Sequence, residues 1–290
     1  MTRKVAFITG GASGMGLSVA TALSKRGDWD LHLVDLNVEA GKEAASSLPN
    51  AHFHQCNVTS YSSLVSAFDA TFNASGRIDF VYANAGIVER DNFYEDHDLN
   101  SAPPEPNQLS IDINLKAVVN QAYLARHYFR KSPKDVEPVL VMTASCGGLY
   151  PSEFCPMYSA SKAAVIHFNR AITYKYHTEG IRTYTTAPGT IKTNLLAAED
   201  WETFPREFWT PMETLVDAVL MLVDGGDMQD AAGKKVPAED AWGLCVEVIG
   251  DEVYFREGMK YSCEKMEKMM VFTSMEHQLA RIEKTKAEKK

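Results

Sequence analysis

A glycine-rich stretch near the start of the chain, TGGASGMG at residues 9–16, could bind a phosphate group through its backbone. It follows the short apolar run KVAFI and precedes a helix-length segment. The free N–H groups and the positive dipole end of a helix that starts there attract an anion, so this position favours a dinucleotide pyrophosphate. The sequence supplies the G-x-x-x-G-x-G spacing with Gly10, Gly14 and Gly16, around Ser13 and Met15.

Each of these glycines has its own expected task. Gly10 allows a tight turn, Gly14 lets the backbone approach a phosphate, and Gly16 allows close packing of the helix. The spacing alone is also compatible with a plain glycine-rich turn, and it is the position between a strand and a helix that favours binding.

An acidic residue follows at the end of the second apolar run. Asp35 lies 19 residues after Gly16, where a carboxylate can accept hydrogen bonds from both ribose hydroxyls and repels a 2′-phosphate. Neither Ser13 nor Leu36 is basic, so no cation is placed to hold that phosphate. The pattern therefore predicts NAD(H) in preference to NADP(H). An acid that caps the next helix is the alternative interpretation of Asp35.

A second group of reactive side chains lies in SCGGLYPSEFCPMYSASK, residues 145–162. Tyr158 and Lys162 are four residues apart in a predicted helix, so both side chains leave the same face one turn apart. Ser145 lies thirteen residues before Tyr158 at the end of a predicted strand, where open α/β sheets bind their ligands. Taken alone, Y-x-x-x-K is a weak signal that any helix can show by chance.

The elements that must position these residues alternate along the chain. Alternating strands and helices predict a doubly wound α/β fold of the Rossmann type, with a mostly parallel sheet covered on both faces. The predicted strands are 4–9, 31–35, 52–56, 78–86, 137–145, 181–189 and 244–250, and predicted helices include 14–27, 61–75, 107–131 and 156–179.

Two segments do not follow this alternation. Residues 89–108 are polar and contain proline, which predicts a surface loop over the carboxyl ends of the strands. Residues 193–211 contain four aromatic residues without a regular period. We expect one large domain over residues 1–255, followed by a C-terminal helical extension and charged tail over 256–290.

Composition excludes several classes of function. The 29 basic and 38 acidic residues give a net charge of −9, which argues against a general role on nucleic acid or on a membrane surface. Five cysteines without a C-x-x-C pair indicate neither a disulfide framework nor a metal site. No apolar run approaches the roughly 20 residues of a membrane span. The N-terminus enters a strand pattern at once, so no signal peptide is expected. The expected location is the reducing cytoplasm.

Taken together, these motifs resemble the short-chain dehydrogenase/reductase family over residues 3–250. TGGASGMG, Asp35, NAG at 84–86, Asn114, Ser145, YSASK at 158–162 and PGTIKT at 188–193 occur in the family's order and spacing. The late segment LCVEVIGDEVYFRE is more loosely similar to the 15-hydroxyprostaglandin dehydrogenase-like branch.

The resemblance implies hydride transfer at a carbinol carbon. Tyr158 would be the general acid or base, and Lys162 would stabilise its phenolate and bind the nicotinamide ribose. Ser145 would orient the substrate oxygen, and Asn114 would hold a water that links Lys162 to solvent. A helix-surface asparagine is the alternative for Asn114. A tyrosine pKa of about 10 would have to fall by roughly 2–3 units for ionisation near neutral pH.

Further cofactor contacts follow from the resemblance. NAG would lie against the adenine ribose, with Asn84 steadying the sheet beside Ala85 and Gly86. PGTIKT would receive the nicotinamide carboxamide through Ile191 and Thr193 after the Pro188–Gly189 turn. Asn57 and Val58 lie where the family has an aspartate. The carbonyl of an asparagine can still accept a hydrogen bond from the adenine amino group, but this bond lacks the added strength that a charged carboxylate gives.

The resemblance also places a substrate lid at about residues 193–211. The substrate is predicted to be a hydrophobic secondary alcohol or ketone, because the lid contains the aromatic residues Trp201, Phe204, Phe208 and Trp209, and Tyr150 and Phe154 would line the same pocket. Packing of these rings within the lid or against a neighbouring subunit is an equal alternative. A homo-oligomer, dimer or tetramer, is expected. The competing functions are an NADPH-dependent biosynthetic ketoreductase and a non-catalytic dinucleotide-binding sensor or partner module.

Overall fold

The apolar runs of the sequence form an eight-stranded, mostly parallel sheet in the computed structural model, which describes residues 3–288. This confirms the predicted doubly wound α/β fold. Residues 1–2 and 289–290, the ends of the predicted domain and charged tail, lie outside the described residues. The strands of this sheet are β1 Lys4–Thr9, β2 Trp29–Asp35, β3 Ala51–Gln55, β4 Phe80–Ala83, β5 Val139–Thr143, β6 Arg182–Pro188, β9 Cys245–Ile249 and β10 Glu252–Phe255. Two further strands, β7 Met228–Gln229 and β8 Lys235–Val236, pair with each other in a separate two-stranded sheet.

Helices connect successive parallel strands and cover the sheet. They are α1 Gly14–Arg26, α2 Val38–Ser47, α3 Tyr61–Ser75, α4 Leu109–Ile111, α5 Ala117–Lys131, α6 Pro156–His177, α7 Ala198–Trp201, α8 Met212–Asp224, α9 Glu264–Thr273 and α10 Met275–Glu288. A π turn at Asp112–Lys116 joins α4 to α5, and short 3₁₀ turns occur at Cys146–Gly148, Arg206–Phe208 and Ala238–Asp240.

The strand order places a crevice in the middle of the sheet. The order is β10-β9-β6-β5-β4-β1-β2-β3, so the chain builds outward from β1 to β3 and then returns to the other side of β1 with β4. Parallel sheets of this kind bind ligands where the order reverses, at the carboxyl ends of the strands. The glycine-rich loop follows β1 and NAG follows β4, so the two motifs meet at this crevice.

The sheet is buried on both faces, which is why its strands are continuous apolar runs. One core cluster packs α1 and α8 on the sheet through residues such as Leu23 and Leu222. The second packs α3, α5 and α6 on the opposite face through residues such as Phe68 and Val165. These two layers fix the helices that carry the reactive residues.

The structure adds a strand that the sequence patterns did not predict. Strand β10 pairs antiparallel with β9 at the edge of the sheet, after a two-residue turn in which Gly250 has a φ of 56°. A glycine in this left-handed region is typical of a tight hairpin. The segment 89–108 contains neither helix nor strand before Leu109, as expected of a surface loop.

The chain divides after Arg256 into two compact units. The first contains the whole sheet, and the second contains α9 and α10. Within the described part of the chain, the helices lack the continuous apolar length that a membrane span requires.

A histidine cluster on β2 and β3 should make the fold less stable in mild acid. His32 is buried, its Nδ1 lies 2.8 Å from Nε2 of His54, and burial lowers its pKa to about 3. The unfolded chain binds a proton on this ring near pH 6.5, so it takes up more protons than the fold between pH 6.5 and about 3. Stability therefore falls as the pH falls through this window, and His32 contributes up to about 2 kcal/mol of loss between pH 7 and pH 5.

Urea denaturation followed by circular dichroism at pH 7 and pH 5 measures this loss. His32→Asn should reduce the difference in unfolding free energy between the two pH values, because asparagine does not titrate. The exposed His277→Gln serves as the control and should leave the difference as in the wild type. An unchanged difference in His32→Asn would place the acid sensitivity elsewhere.

Candidate active site

Ser145 and Tyr158 meet at the carboxyl end of β5. Ser145 caps the short turn Cys146–Gly148, and its Oγ accepts a hydrogen bond of 3.0 Å from the N–H of Gly147. Tyr158 lies in the first turn of α6, and its side chain interacts with the Ser145 hydroxyl. The two residues predicted from spacing therefore come together, with their hydroxyl groups adjacent.

Gly148 brings the serine loop directly onto α6. A Cβ on this residue would lie 2.6 Å from the backbone carbon of Lys162 and 2.8 Å from the N of Ala163. These are backbone atoms in the middle of a helix, so they cannot move aside cheaply. Any other residue at 148 would push the Ser145 loop away from Tyr158, a requirement that the sequence analysis did not identify.

Lys162 is buried beneath this pair. Its Nζ donates a hydrogen bond of 2.8 Å to the carbonyl of Thr143 and lies 5.7 Å from the ring centroid of Tyr158. Burial lowers the pKa of Lys162 to about 7, so its charge responds to small changes in the site near neutral pH.

The pKa of Tyr158 is raised above its ordinary value, in the opposite direction to the predicted fall. Burial is the main cause, and the contact with Ser145 opposes it. A buried phenol loses the water that would stabilise its phenolate. The protein's own residues therefore keep Tyr158 protonated at neutral pH, and a lower pKa requires additional positive charge in the site.

Asn114 is fully buried in the π turn before α5, which excludes a helix-surface side chain. Its Oδ1 accepts from the N–H of Ile87 at 2.9 Å, and its Nδ2 donates to the Ile87 carbonyl at 2.8 Å and to Oγ of Ser161 at 3.2 Å. The side-chain amide thus joins the segment after β4 to α6. π turns inside helices occur frequently at functional sites.

The glycine loop has the backbone geometry of a tight cradle. Gly10 and Gly14 have φ values of 65° and 52°, in the left-handed region that favours glycine. A Cβ on Gly16 would overlap the carbonyl oxygen of Gly10, so Gly16 serves the closure of the loop itself. The neighbouring Gly11, which the spacing argument omitted, has the same kind of restriction, since its Cβ would lie 2.8 Å from the carbonyl oxygen of Ile8.

Asp35 binds the glycine loop rather than capping α2. Its Oδ2 accepts from the N–H of Ala12 at 3.2 Å, and its Oδ1 accepts from the N–H of Asn37 at 3.0 Å. The cap of α2 is Asn37, whose side chain accepts from the N–H of Ala40. Asp35 therefore lies beside the loop, while Leu36 is exposed and brings no positive charge.

NAG at 84–86 connects three strands. Asn84 donates to the Thr9 carbonyl at 3.1 Å and accepts from the Thr143 hydroxyl at 3.2 Å, so it joins β1, β4 and β5. The N–H of Ala85 donates to Oγ1 of Thr9 at 3.3 Å. A Cβ on Gly86 would lie 3.3 Å from Nζ of Lys162, so glycine keeps the space beside the ammonium group open.

Asn57 is engaged in a local turn. Its Oδ1 accepts from both the N–H and the hydroxyl of Thr59, at 3.0 and 2.8 Å. The side chain of Asn57 is exposed and the neighbouring Val58 is buried. The side-chain carbonyl of Asn57, which was expected to accept a hydrogen bond from an adenine amino group, thus already accepts two hydrogen bonds from Thr59. A bond from adenine would have to compete with these two.

The segment after β6 returns to the glycine loop. Thr193 lies so close to Gly14 that a Cβ on the glycine would be 3.3 Å from the threonine Cβ and Cγ2. Ile191 is buried, and the N–H of Gly189 donates to the Val248 carbonyl at 2.8 Å after the buried Pro188. PGTIKT and TGGASGMG, 170 or more residues apart, therefore border one cleft.

The aromatic residues of the segment 193–211 divide into two groups. Trp201 is buried, donates from Nε1 to the Thr193 carbonyl at 2.9 Å, and packs against Trp209 with ring centroids 6.4 Å apart. Phe204 and Phe208 are exposed, as are Tyr150 and Phe154, which follow the Ser145 loop along the chain. Packing within the segment accounts for the two tryptophans, and the other four rings are exposed.

Comparison with known proteins is consistent with this geometry. The short chain dehydrogenase family profile matches residues 4–203. The chain is 44% identical to the short-chain dehydrogenase/reductase prx7 of Penicillium rubens over 279 residues, which cover 92% of this chain and 99% of that protein. It is 29% identical to human 15-hydroxyprostaglandin dehydrogenase [NAD(+)] over 207 residues, 69% of this chain and 72% of that protein.

Solved structures share the fold at lower identity. A 3-ketoacyl-(acyl-carrier-protein) reductase from Brucella melitensis, complexed with NADH, superposes with a TM-score of 0.70 at 22% identity, over 85% of this chain and 97% of that one. Among the described residues, no group of three His, Cys, Asp or Glu side chains is placed to hold a metal ion. The sheet, the order of the motifs and the extent of these matches show that the chain belongs to the short-chain dehydrogenase/reductase family of oxidoreductases.

Proposed function

We propose that the protein is an NAD-dependent oxidoreductase that interconverts a hydrophobic secondary alcohol and its ketone, with Tyr158 as the acid or base. The observation that carries this proposal is the arrangement of the Tyr158 and Ser145 side chains above the buried Lys162. A buried ammonium group beside a phenol has little structural purpose, because burial of a lysine is costly. It is an effective way of controlling the charge of that phenol.

The residues around the crevice fit a nicotinamide dinucleotide. The positive φ of Gly10 and Gly14 turns the loop at the N-terminus of α1, where a pyrophosphate is favoured. Gly86 leaves room next to Lys162, where a ribose would find a hydrogen-bond donor. Ile191 and Thr193 would receive the carboxamide, and Asn57 and Val58 would lie at the adenine. When bound, the cofactor supplies the hydride transfer.

Tyr158 and Lys162 would share the control of one proton. In reduction, the protonated Tyr158 donates its hydroxyl proton to the substrate oxygen, which Ser145 orients through its own hydroxyl. In oxidation, Tyr158 accepts that proton as a phenolate. Formation of the phenolate favours the charged form of Lys162, and the ammonium group favours the phenolate, so the two titrations are coupled. Asn114 holds α6 and the segment after β4 in register for this exchange.

The exposed aromatic rings support an apolar substrate. Tyr150 and Phe154 lie between Ser145 and Tyr158 in the sequence, Phe204 and Phe208 lie in the segment 193–211, and all four side chains are exposed. Exposed apolar groups that border a cleft are typical of ligand-binding and partner-binding surfaces. A homo-oligomer is part of the proposal, and it is supported by the exposed Tyr123 on α5. A cytoplasmic location is also part of it, and it is supported by the five cysteines, all of them free.

The test of the cofactor is titration of the purified protein with NADH and with NADPH, followed by cofactor fluorescence. We expect NADH to bind at least about tenfold more tightly, because the carboxylate of Asp35 would repel a 2′-phosphate and neither Ser13 nor Leu36 is basic. A preference for NADPH would contradict the NAD assignment and favour a biosynthetic ketoreductase. No binding of either would contradict the proposed function as a whole.

Replacing Asp35 by Ser should change the preference by strengthening NADPH binding. Loss of the hydrogen bond to the Ala12 N–H also loosens the loop, so weaker NADH binding alone is ambiguous. A gain of about tenfold in NADPH affinity cannot come from a looser loop, and it reports the removal of charge repulsion. Asp217→Ser, an exposed acid on α8, is the matched control and should change neither affinity.

A further inference from the structure

The helix that carries Tyr158 and Lys162 lacks a local cap at its start. Cys155 precedes Pro156 at the N-terminus of α6 and makes no side-chain hydrogen bond to the first turn. The first N–H groups of a helix have no partner within the helix. Pro156 has no N–H, and the N–H of Ser159 donates to the Cys155 carbonyl. The N–H of Tyr158 therefore depends on a group from outside the helix.

That group is the carboxylate of Glu89, from the segment that follows β4. Its Oε2 accepts the N–H of Tyr158 at 2.8 Å, although the two residues are 69 positions apart. The other oxygen, Oε1, is buried and accepts no hydrogen bond from the residues that the structure describes. Leaving a buried carboxylate oxygen unpaired is unfavourable, so a contribution to the stability of the fold does not explain why Glu89 occupies this position.

Glu89 completes a closed set of hydrogen bonds that links the segment after β4, Asn114 and the first turn of α6. Asn114 binds both backbone groups of Ile87, two residues before Glu89, and also donates to Oγ of Ser161. Ser161 Oγ donates to the Tyr158 carbonyl at 2.7 Å. Both backbone groups of Tyr158 are therefore held by side chains, one by Ser161 and the other by Glu89.

We propose that Glu89 is a positioning residue for Tyr158, which fixes the first turn of α6 relative to the segment that lines the crevice. This inference rests on the proposed function, in which Tyr158 exchanges a proton with the substrate. A shift of less than 1 Å in that turn separates the phenol from Ser145 and from the substrate oxygen, and proton transfer depends strongly on such distances.

The test compares Glu89→Ala with Glu89→Gln in the full chain. Alanine removes the acceptor, and we expect kcat to fall by about 10- to 100-fold, with KM and the Kd of NADH each changing by less than about threefold. Glutamine keeps a carbonyl acceptor of the same length, and it should restore kcat to within about threefold of the wild type. Glu95→Ala, an exposed acid of the same loop, is the matched control and should leave kcat unchanged.

Amide hydrogen exchange tests the same inference without turnover. In Glu89→Ala, the Tyr158 amide should exchange at least about tenfold faster, with unchanged protection in β5 and in the last turns of α6. Wild-type kcat in Glu89→Ala would overturn the inference and leave the proposed function intact. If the wild-type protein shows no turnover, the proposed function fails, and Glu89 is then judged by the exchange of the Tyr158 amide alone. Unchanged exchange would overturn its positioning role.

Discussion

Replacing Tyr158 by Phe is expected to lower kcat by about 10³-fold, while the affinity for NADH stays within about twofold of the wild type. The substitution removes one oxygen and keeps the ring, so the packing around Lys162 is retained. General acid–base catalysis by a positioned side chain contributes about 10²- to 10⁴-fold. Since the pKa of Tyr158 is raised by burial, the phenol holds its proton in the free protein, and the substitution removes the group that donates it.

The measurement uses a panel of hydrophobic secondary alcohols with NAD and of the matching ketones with NADH. The affinity for NADH is determined separately by cofactor fluorescence. Tyr174→Phe is the matched control, because Tyr174 lies on the same helix with its side chain exposed, and it should keep wild-type kcat. Full activity in Tyr158→Phe would show that the proton comes from another group and that the catalytic assignment is wrong.

The parallel strands could be predicted because burial on both faces leaves a clear pattern in the sequence. The run KVAFIT is β1 residue for residue, and IRTYTTAP contains β6. Strand β10 escaped prediction because it lies at the edge of the sheet, where only one side is paired and Val253 and Tyr254 stay partly exposed. The Gly250–Asp251 dipeptide of the hairpin turn is too short a pattern to predict this strand by itself.

The candidate site could be predicted where it depends on local spacing. Tyr158 and Lys162 are one helical turn apart, and the strand end that carries Ser145 follows from the same alternation. Contacts between distant segments left no comparable pattern. Glu89 and Gly148 have roles that depend on how a loop lies against α6, which only the folded chain defines.

The direction of the Tyr158 pKa shift could not be predicted for a related reason. The sequence showed that a lysine would be near the phenol, and proximity of a cation lowers the pKa of a phenol. It did not show that both groups would be buried, and burial acts against both charged forms. In the structure, burial is the larger effect for each group. Additional positive charge at the nicotinamide position would then shift the balance toward the phenolate.

Replacing Gly16 by Ala should abolish measurable binding of NADH, with an affinity loss of at least about 100-fold. The added methyl group would overlap the carbonyl oxygen of Gly10 and lie 2.9 Å from Nδ2 of Asn84. The first of these is a backbone atom of the loop, so the loop must open. Because Asn84 joins β1 to β4 and β5, the displacement reaches the centre of the sheet as well.

Gly27→Asn at the other end of α1 provides the matched control. Gly27 has a φ of 79° and nothing within 4 Å of its Cβ position, and asparagine is tolerated in this left-handed region. That variant should bind NADH as the wild type does. Retention of NADH affinity in Gly16→Ala, measured by cofactor fluorescence, would mean that NADH binding does not depend on the closed glycine loop. The pyrophosphate would then have to bind elsewhere, because a loop held closed by three glycines is the physical basis of the proposed cofactor site.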